Sequence, residues 1–271
     1  MFYRCTLSGA PHYRSTLITT PHGFSTRLGG ISRGKYTKSM NLAFGRGDDD
    51  GTVIKNFEIL AKSISANPEN GVMLGQVHSS DVMTVTKDDF GLGVYKKTDK
   101  CLDGYVSCEP GALLCVRIAD CIPVLFHDSK NNVIGAVHSG WRGSVGAISS
   151  VCIDKMCSIG AERQSIKAAI GPGICFGCYT VGEDFVESCK SSLSSALCQK
   201  FINKKGRVYT ADLKKLIYLT LLESGLKEEN IDISTLCTCC NPDEFFSHRY
   251  HKENRGTMGA MIALSPERNH K

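Results

Sequence analysis

Four apolar, β-branched runs of strand length, at 72–77, 112–118, 123–127 and 132–138, constrain this chain more than any other feature. Further strands are predicted at 166–170, 231–236 and 257–264. Helical spacing is confined to three segments. Residues 52–66 place Val53, Phe57, Leu60 and Ile64 on one face, and 144–159 place Val145, Ile148, Cys152, Met156 and Ile159 inward. The third segment, 211–225, is opened by Thr210 or Asp212 and stopped at Gly225. Residues 22–44, rich in Gly, Ser and Arg, read as loops with short extended pieces. Strands outnumber helices and come in consecutive runs, which predicts an α+β layered sandwich of mixed sheets covered by helices rather than a Rossmann repeat. No repeat, linker or low-complexity tract divides the sequence, so residues 1–271 are expected to form a single catalytic domain.

Composition narrows the function classes. With 42% hydrophobic and 22% charged residues, the chain is neither polar enough for general disorder nor apolar enough for a membrane protein. No apolar run approaches the roughly 20 residues of a spanning helix. The opening MFYRCTLSGAPHYR carries no apolar stretch of signal-peptide length, so a cytoplasmic protein is expected. The net charge of +5 is spread thinly. Its densest stretches, Lys204-Lys205-Gly206-Arg207 and Lys214-Lys215, read as solvated surface, and no aromatic residues interleave with them as an RNA-binding sheet requires.

Fourteen cysteines are too many to ignore, yet a chain this rich in core residues needs no staples. Cys115, Cys152 and Cys157 lie in apolar patterns and read as small buried hydrophobes. The cysteines beside His or Asp in turn-like contexts are the candidates for chemistry. Three segments share one design, an apolar strand that ends or is interrupted at a metal-competent residue: His78 in LGQVHSSDV, Asp120 and Cys121 in IADCIPVLF, and His138 in GAVHSGWRG. Two imidazoles and one thiolate are one donor short of a tetrahedron, the composition of a catalytic zinc site. Taken singly, each His also fits a hydrogen-bonded strand end, and the spacings match no short metal motif. After His138, Gly140-Trp141-Arg142-Gly143 joins a strand to a helix expected near Ser144, a place for an anion held by amides and a guanidinium.

Seven blocks in fixed order carry a resemblance over nearly the whole chain: HGFSTRLGGIS (22–32), MNLAFGRGDD (40–49), GQVHSSDV (75–82), ADCIPVLF (119–126), GAVHSGWRG (135–143), AAIGPGICFGCYTVG (168–182) and FFSHRYHKENRGTMGAMIAL (245–264). The sequence resembles the purine nucleoside phosphorylase/laccase-domain family, long labelled polyphenol oxidoreductase. The resemblance implies a layered α+β fold, zinc on His78, Cys121 and His138 with copper as the alternative metal, and phosphorolysis of adenosine, inosine or methylthioadenosine together with adenosine deamination. It implies purine nucleosides and phosphate as partners, no nucleic acid, no membrane, and a monomer. Cys121, Asp120 and His138 become the catalytic candidates, with Asp120 either an acid/base or a support orienting a ligand. Ser25, Arg27, Asn41, Arg142 and Arg255 become the substrate-binding candidates. The chain departs from the family where it reads FFSHRY for FFSYRR, keeping Arg249 but placing Tyr250 next, and where Arg255 precedes rather than follows a glycine.

Three other readings compete. A multicopper oxidase needs several paired imidazoles, and the chain has no His-x-His. A cysteine-dependent hydrolase or deamidase would use Cys121 as nucleophile and His138 as base, leaving the second histidine without a task. A structural zinc protein would draw on Cys175-x-x-Cys178 with Cys237, Cys239 and Cys240.

Overall fold

The computed structural model describes residues 1–6 and 9–266. In chain order its strands are β1 (Phe2–Cys5), β2 (His12–Ser15), β3 (His22–Ser25), β4 (Gly71–Val72), β5 (Val82–Thr84), β6 (Gly104–Ser107), β7 (Leu113–Ile118), β8 (Ile122–Asp128), β9 (Val133–Ser139), β10 (Lys167–Ile170), β11 (Thr180–Val181), β12 (Ile202–Lys205), β13 (Val208–Ala211), β14 (Ile231–Ile233) and β15 (Met258–Ala263). One mixed sheet runs β1-β2-β3-β15-β7-β4 and a second runs β14-β10-β8-β9-β6-β5, while β11-β13-β12 form a small third sheet.

The two large sheets pack face to face, and alternation along each strand divides its side chains between two cores. In β7, Leu114 and Val116 enter the layer between the sheets, while Leu113 and Cys115 point toward α1 (Asp50–Ser63). In β8, Leu125 lies between the sheets, while Val124 and Phe126 meet α3 (Ile148–Ser158) and α6 (Leu213–Glu223) on the outer side. Four layers result, helix, sheet, sheet and helices, and β7, β8, β9 and β15 are covered on both faces. That is why these strands read as continuous apolar runs. Each fully buried Leu or Phe in such a layer contributes about 1.5–3 kcal/mol.

Helix boundaries follow local chemistry. Asp49 caps α1 by accepting the Thr52 amide at 2.9 Å, and Val53, Phe57, Leu60 and Ile64 are buried as the spacing predicts. Asp212 caps α6, and Gly225, at φ 88°, ends it. Between α3 and α6 lie α4 (Glu183–Ser192) and α5 (Ser195–Phe201). The single helix expected over 144–159 is in fact two, because Ala147 takes a left-handed φ of 54° between α2 (Trp141–Val145) and α3. The strand expected over 72–77 ends at Val72, where the chain leaves the sheet toward His78, and that expected over 231–236 ends at Ile233. Lys214, expected on a solvated surface, is buried, with its Nζ donating to the carbonyls of Ser234 at 2.7 Å and Leu236 at 2.8 Å. Among the described residues no helix is long and apolar enough to cross a membrane.

Candidate functional site

Strand pairing in the second sheet brings distant residues to one end of it. Cys121 stands immediately before β8, whose Ile122 and Pro123 pair with Ser139 and His138 of β9. Asp103 stands immediately before β6, whose Gly104 pairs with Val137. His78 arrives on the loop that follows β4, with φ 61°, and Asp120 has φ 89°. Two non-glycine residues held in the left-handed region beside one cluster mark a site that the surrounding structure over-determines. Ligand-capable atoms of His78, Cys121 and His138 all lie within 4.8 Å of one another, with Cys121 Sγ 3.8 Å from His78 Nε2. Gly140 makes room for this: a Cβ there would collide with the His78 ring and stand 3.4 Å from Cys121 Sγ.

Asp103, which the sequence reading missed, organises the cluster. Its Oδ1 accepts from His138 Nδ1 at 2.7 Å, so Nε2 is the imidazole nitrogen left for a metal. Its Oδ2 accepts the amides of Val77 at 3.1 Å and Ser79 at 2.7 Å, which flank His78 on both sides. One carboxylate thus orients one histidine and clamps the loop of the other. Burial would raise the Asp103 carboxyl, but the His138 and amide hydrogen bonds bring it down to about 2. Burial would likewise raise the Cys121 thiol, but the charge of His138 and hydrogen bonds from both histidines lower it to about 6. Against the lowering effect of burial, Cys121 and Asp103 raise His138 to about 9. Two imidazoles, a thiol that ionises readily and an oriented tautomer make a donor set that fits a borderline metal such as zinc.

Two adjoining cavities share the His78 and Cys121 side of this cluster. The first, about 300 Å³, is basic, with Arg46, Arg117 and Arg255 on its walls. The second, about 310 Å³, has Trp141, Ile174, Tyr179 and Leu213 as apolar and aromatic walls, with Asp120, His248, Arg249 and Glu253 as polar ones. His78, Ala119, Cys121, Arg46 and Arg255 line both. Each volume is in the range that small ligands occupy.

Of the other sequence candidates, Arg255 lines both cavities, and Asp120 lines the second. Both Asp120 oxygens are engaged, Oδ1 by Thr238 Oγ1 and Oδ2 by the Arg249 amide, each at 2.6 Å. Ser25 is buried and accepts the Gly259 amide at 2.9 Å. Asn41, fully buried, bonds Ala43, Asp48 and Thr257. Arg27 donates to the Pro242 carbonyl at 2.8 Å and stacks over Phe246 at 4.6 Å. Ser25, Arg27 and Asn41 line neither cavity. Arg142 is exposed and lies 4.1 Å over the Trp141 ring, so it reaches the second cavity only through that ring. The helix beside it starts at Trp141 rather than near Ser144 and is five residues long. Arg117 carried no signal beyond being a basic residue in a strand, and Arg46 none beyond its place in the 40–49 block.

Comparison with known proteins places this geometry. The family described as multi-copper polyphenol oxidoreductase laccase matches residues 21–265. "Purine nucleoside phosphorylase YlmD" of Bacillus subtilis is 34% identical over 245 residues, 89% of this chain and 87% of that protein. "Adenosine deaminase RL5" of an unknown prokaryotic organism is 30% identical over 238 residues, 86% of this chain and 90% of that protein. The crystal structure of YlmD from Geobacillus stearothermophilus superposes with a TM-score of 0.88 at 31% identity, covering 96% of this chain and 98% of that one. The layered α+β arrangement is therefore the fold of solved relatives.

Proposed function

The chain belongs to the multi-copper polyphenol oxidoreductase laccase family, the family its seven sequence blocks point to, and from that premise we propose that it is a zinc-dependent purine nucleoside phosphorylase that also deaminates adenosine. Relatives bearing the names of a phosphorylase and a deaminase support an enzyme of this kind. The observation that carries the reading is the pair of cavities, both lined by arginines and the second also by Trp141 and Tyr179, sharing the His78/Cys121 wall.

In this reading Arg46, Arg117 and Arg255 bind phosphate in the first cavity, because convergent guanidiniums are suited to a tetrahedral anion. Trp141, Ile174 and Tyr179 hold the purine in the second. The ribose then spans the boundary, with its C1′ facing the phosphate. A phosphate oxygen bonds to C1′ as the bond from C1′ to the purine nitrogen breaks, giving ribose 1-phosphate, and the departing purine takes a proton. That proton comes from solvent, on the polar side of the second cavity walled by His248 and Arg249. Asp120, engaged through both oxygens, positions the 236–241 and 248–251 segments. Ser25, Arg27 and Asn41 act as framework for the loops, and Arg142 supports Trp141. A metal held by His78, Cys121 and His138, with three protein donors, would supply Lewis acidity at the boundary between the cavities.

Among the described residues the other metal-competent group is all cysteine, which favours a single imidazole site over a multicopper array. A second reading has one specific support. Asp103, His138 and Cys121 stand in line as orienter, base and nucleophile, the arrangement a cysteine hydrolase uses, although it gives His78 no role.

Purified protein incubated with adenosine, with and without phosphate, tests the proposal by chromatography. Adenine and ribose 1-phosphate forming only with phosphate are expected. Inosine alone would replace phosphorolysis by deamination, and no conversion of any purine nucleoside would overturn both.

A further inference from the structure

A second cluster lies outside the machinery just described. We propose that Cys175, Cys178, Cys237 and Cys240 bind one zinc ion as a closed four-thiolate site that staples the 171–179 loop to the 234–241 loop behind the wall of the second cavity.

The geometry is that of an ion site rather than of disulfides. All four sulfurs lie within 4.8 Å of one another, so no one pair stands apart from the rest. Cys178 Sγ is 3.4 Å from Cys240 Sγ, and Cys175 Sγ is 3.9 Å from the same atom. A sulfur–sulfur bond is about 2.05 Å. Thiolates at the corners of a tetrahedron around zinc, with Zn–S about 2.3 Å, lie about 3.8 Å apart, a spacing that the two observed distances bracket. The sulfurs surround the volume of one ion and leave no room for a multi-iron core. Four soft donors in this arrangement select zinc over the hard divalent cations.

Two further observations point to sulfurs held as thiolates. Cys237 Sγ accepts two backbone amides, from Cys175 at 3.3 Å and from Cys240 at 3.4 Å. The second folds the Cys-x-x-Cys loop back onto its own first sulfur. A zinc ion with four thiolates carries a net charge of −2, which a partly buried site must offset. The buried Lys214 offsets part of it, its ammonium fixed by the carbonyls of Ser234 and Leu236 on the same loop. Cys239, between the two ligands of its loop, is outside the group.

The consequence for the neighbouring cavity is positional. Ile174 and Tyr179, on the stapled loop, line it, and the Ile174 amide donates to the Asp120 carbonyl at 2.9 Å. Thr238, on the partner loop, holds the Asp120 side chain, and Arg249 donates to the Cys178 carbonyl at 2.9 Å. These cysteines are therefore positioning residues. The site stands or falls independently of the reaction proposed above.

Full-length protein purified under reducing, chelator-free conditions gives the test by metal analysis and by cobalt substitution, with zinc or cobalt alone as the probe. About one zinc per chain is expected to remain in Cys121→Ala and to be lost when the Cys178→Ser/Cys240→Ser double variant is made in that background. The cobalt form of Cys121→Ala is expected to keep intense thiolate-to-cobalt absorption, while Cys239→Ser changes neither reading. Cys240→His, which keeps a zinc donor at an exposed position, is expected to retain the ion. Unchanged metal content in the double variant, or no thiolate absorption in cobalt-loaded Cys121→Ala, would overturn the proposal even if the double variant fails to fold. A Cys178–Cys240 disulfide with no zinc in the purified chain would overturn it as well.

Discussion

The molecule holds two sulfur-containing clusters built on opposite plans. His78, Cys121 and His138 come from positions far apart in the chain and meet because the pairing of β8 with β9 aligns two of them and Asp103 ties the loop of the third to the same end of the sheet. Cys175, Cys178, Cys237 and Cys240 come from two short loops, each with its own Cys-x-x-Cys spacing. The first set has three donors and opens onto two cavities, and its fine alignment comes from a carboxylate, Asp103. The second has four donors, which leave no position free for a substrate. Donor count and access to a cavity, rather than the presence of cysteine, separate a place for chemistry from a place for tension between loops.

The largest effect that would sharpen this contrast belongs to Cys121→Ala. It is expected to reduce nucleoside turnover to background while the far-ultraviolet circular dichroism stays that of the wild type. Retained turnover would remove the thiolate from the reaction. Asp103→Asn should come next, with zinc affinity at the imidazole site lowered about 10–100-fold in a chelator competition, as expected when the partner of a ligating histidine is weakened. The same variant tests a pH dependence. The folded carboxyl is at about 2 against an ordinary 3.8, so its ionised form stabilises the fold above roughly pH 4. That contribution fades as pH falls from 4 toward 2, and denaturant melts of the Asn variant should lack this acid-side slope. The smallest change is expected for Thr238→Val, which removes one donor from Asp120 at the junction of the two regions. It should cost about 2 kcal/mol in a denaturant melt and slow turnover a few-fold without lowering metal content. A loss of zinc in this variant would mean that the regions are less separate than their donor sets imply.

How much of this was legible in the sequence differs between the two regions. The strands of the inner layers announce themselves because helices or a second sheet cover both faces, and β7, β8 and β9 fall within a residue of their predicted bounds. The edge strand β1 and its neighbour β2 were missed, since FYRC and HYRS mix polar and apolar residues over four positions, and the short α4 and α5 were missed too. For the imidazole cluster, the strand-end design picked out the three residues, but their spacing left several readings open until the block-by-block resemblance joined them as one metal site. Asp103 could not be read at all, because its role depends on the pairing of β6 with β9, a contact between residues 35 apart. The cysteine loops were visible as Cys-x-x-Cys spacing, but their meeting depends on where β10 and β14 end, which no local pattern encodes. Lys214 shows the same limit in reverse. A lysine pair reads as surface until a loop carbonyl is found beside one of them.

The double duty of Asp103 also bears on conformational entropy. A histidine on a free loop must give up that loop's freedom at the moment its ligand arrives, and affinity falls by the cost of ordering it. Here the amides on either side of His78 are tied to the carboxylate that also fixes His138. The loop is therefore ordered when the chain folds, and what arrives later meets a geometry already in place.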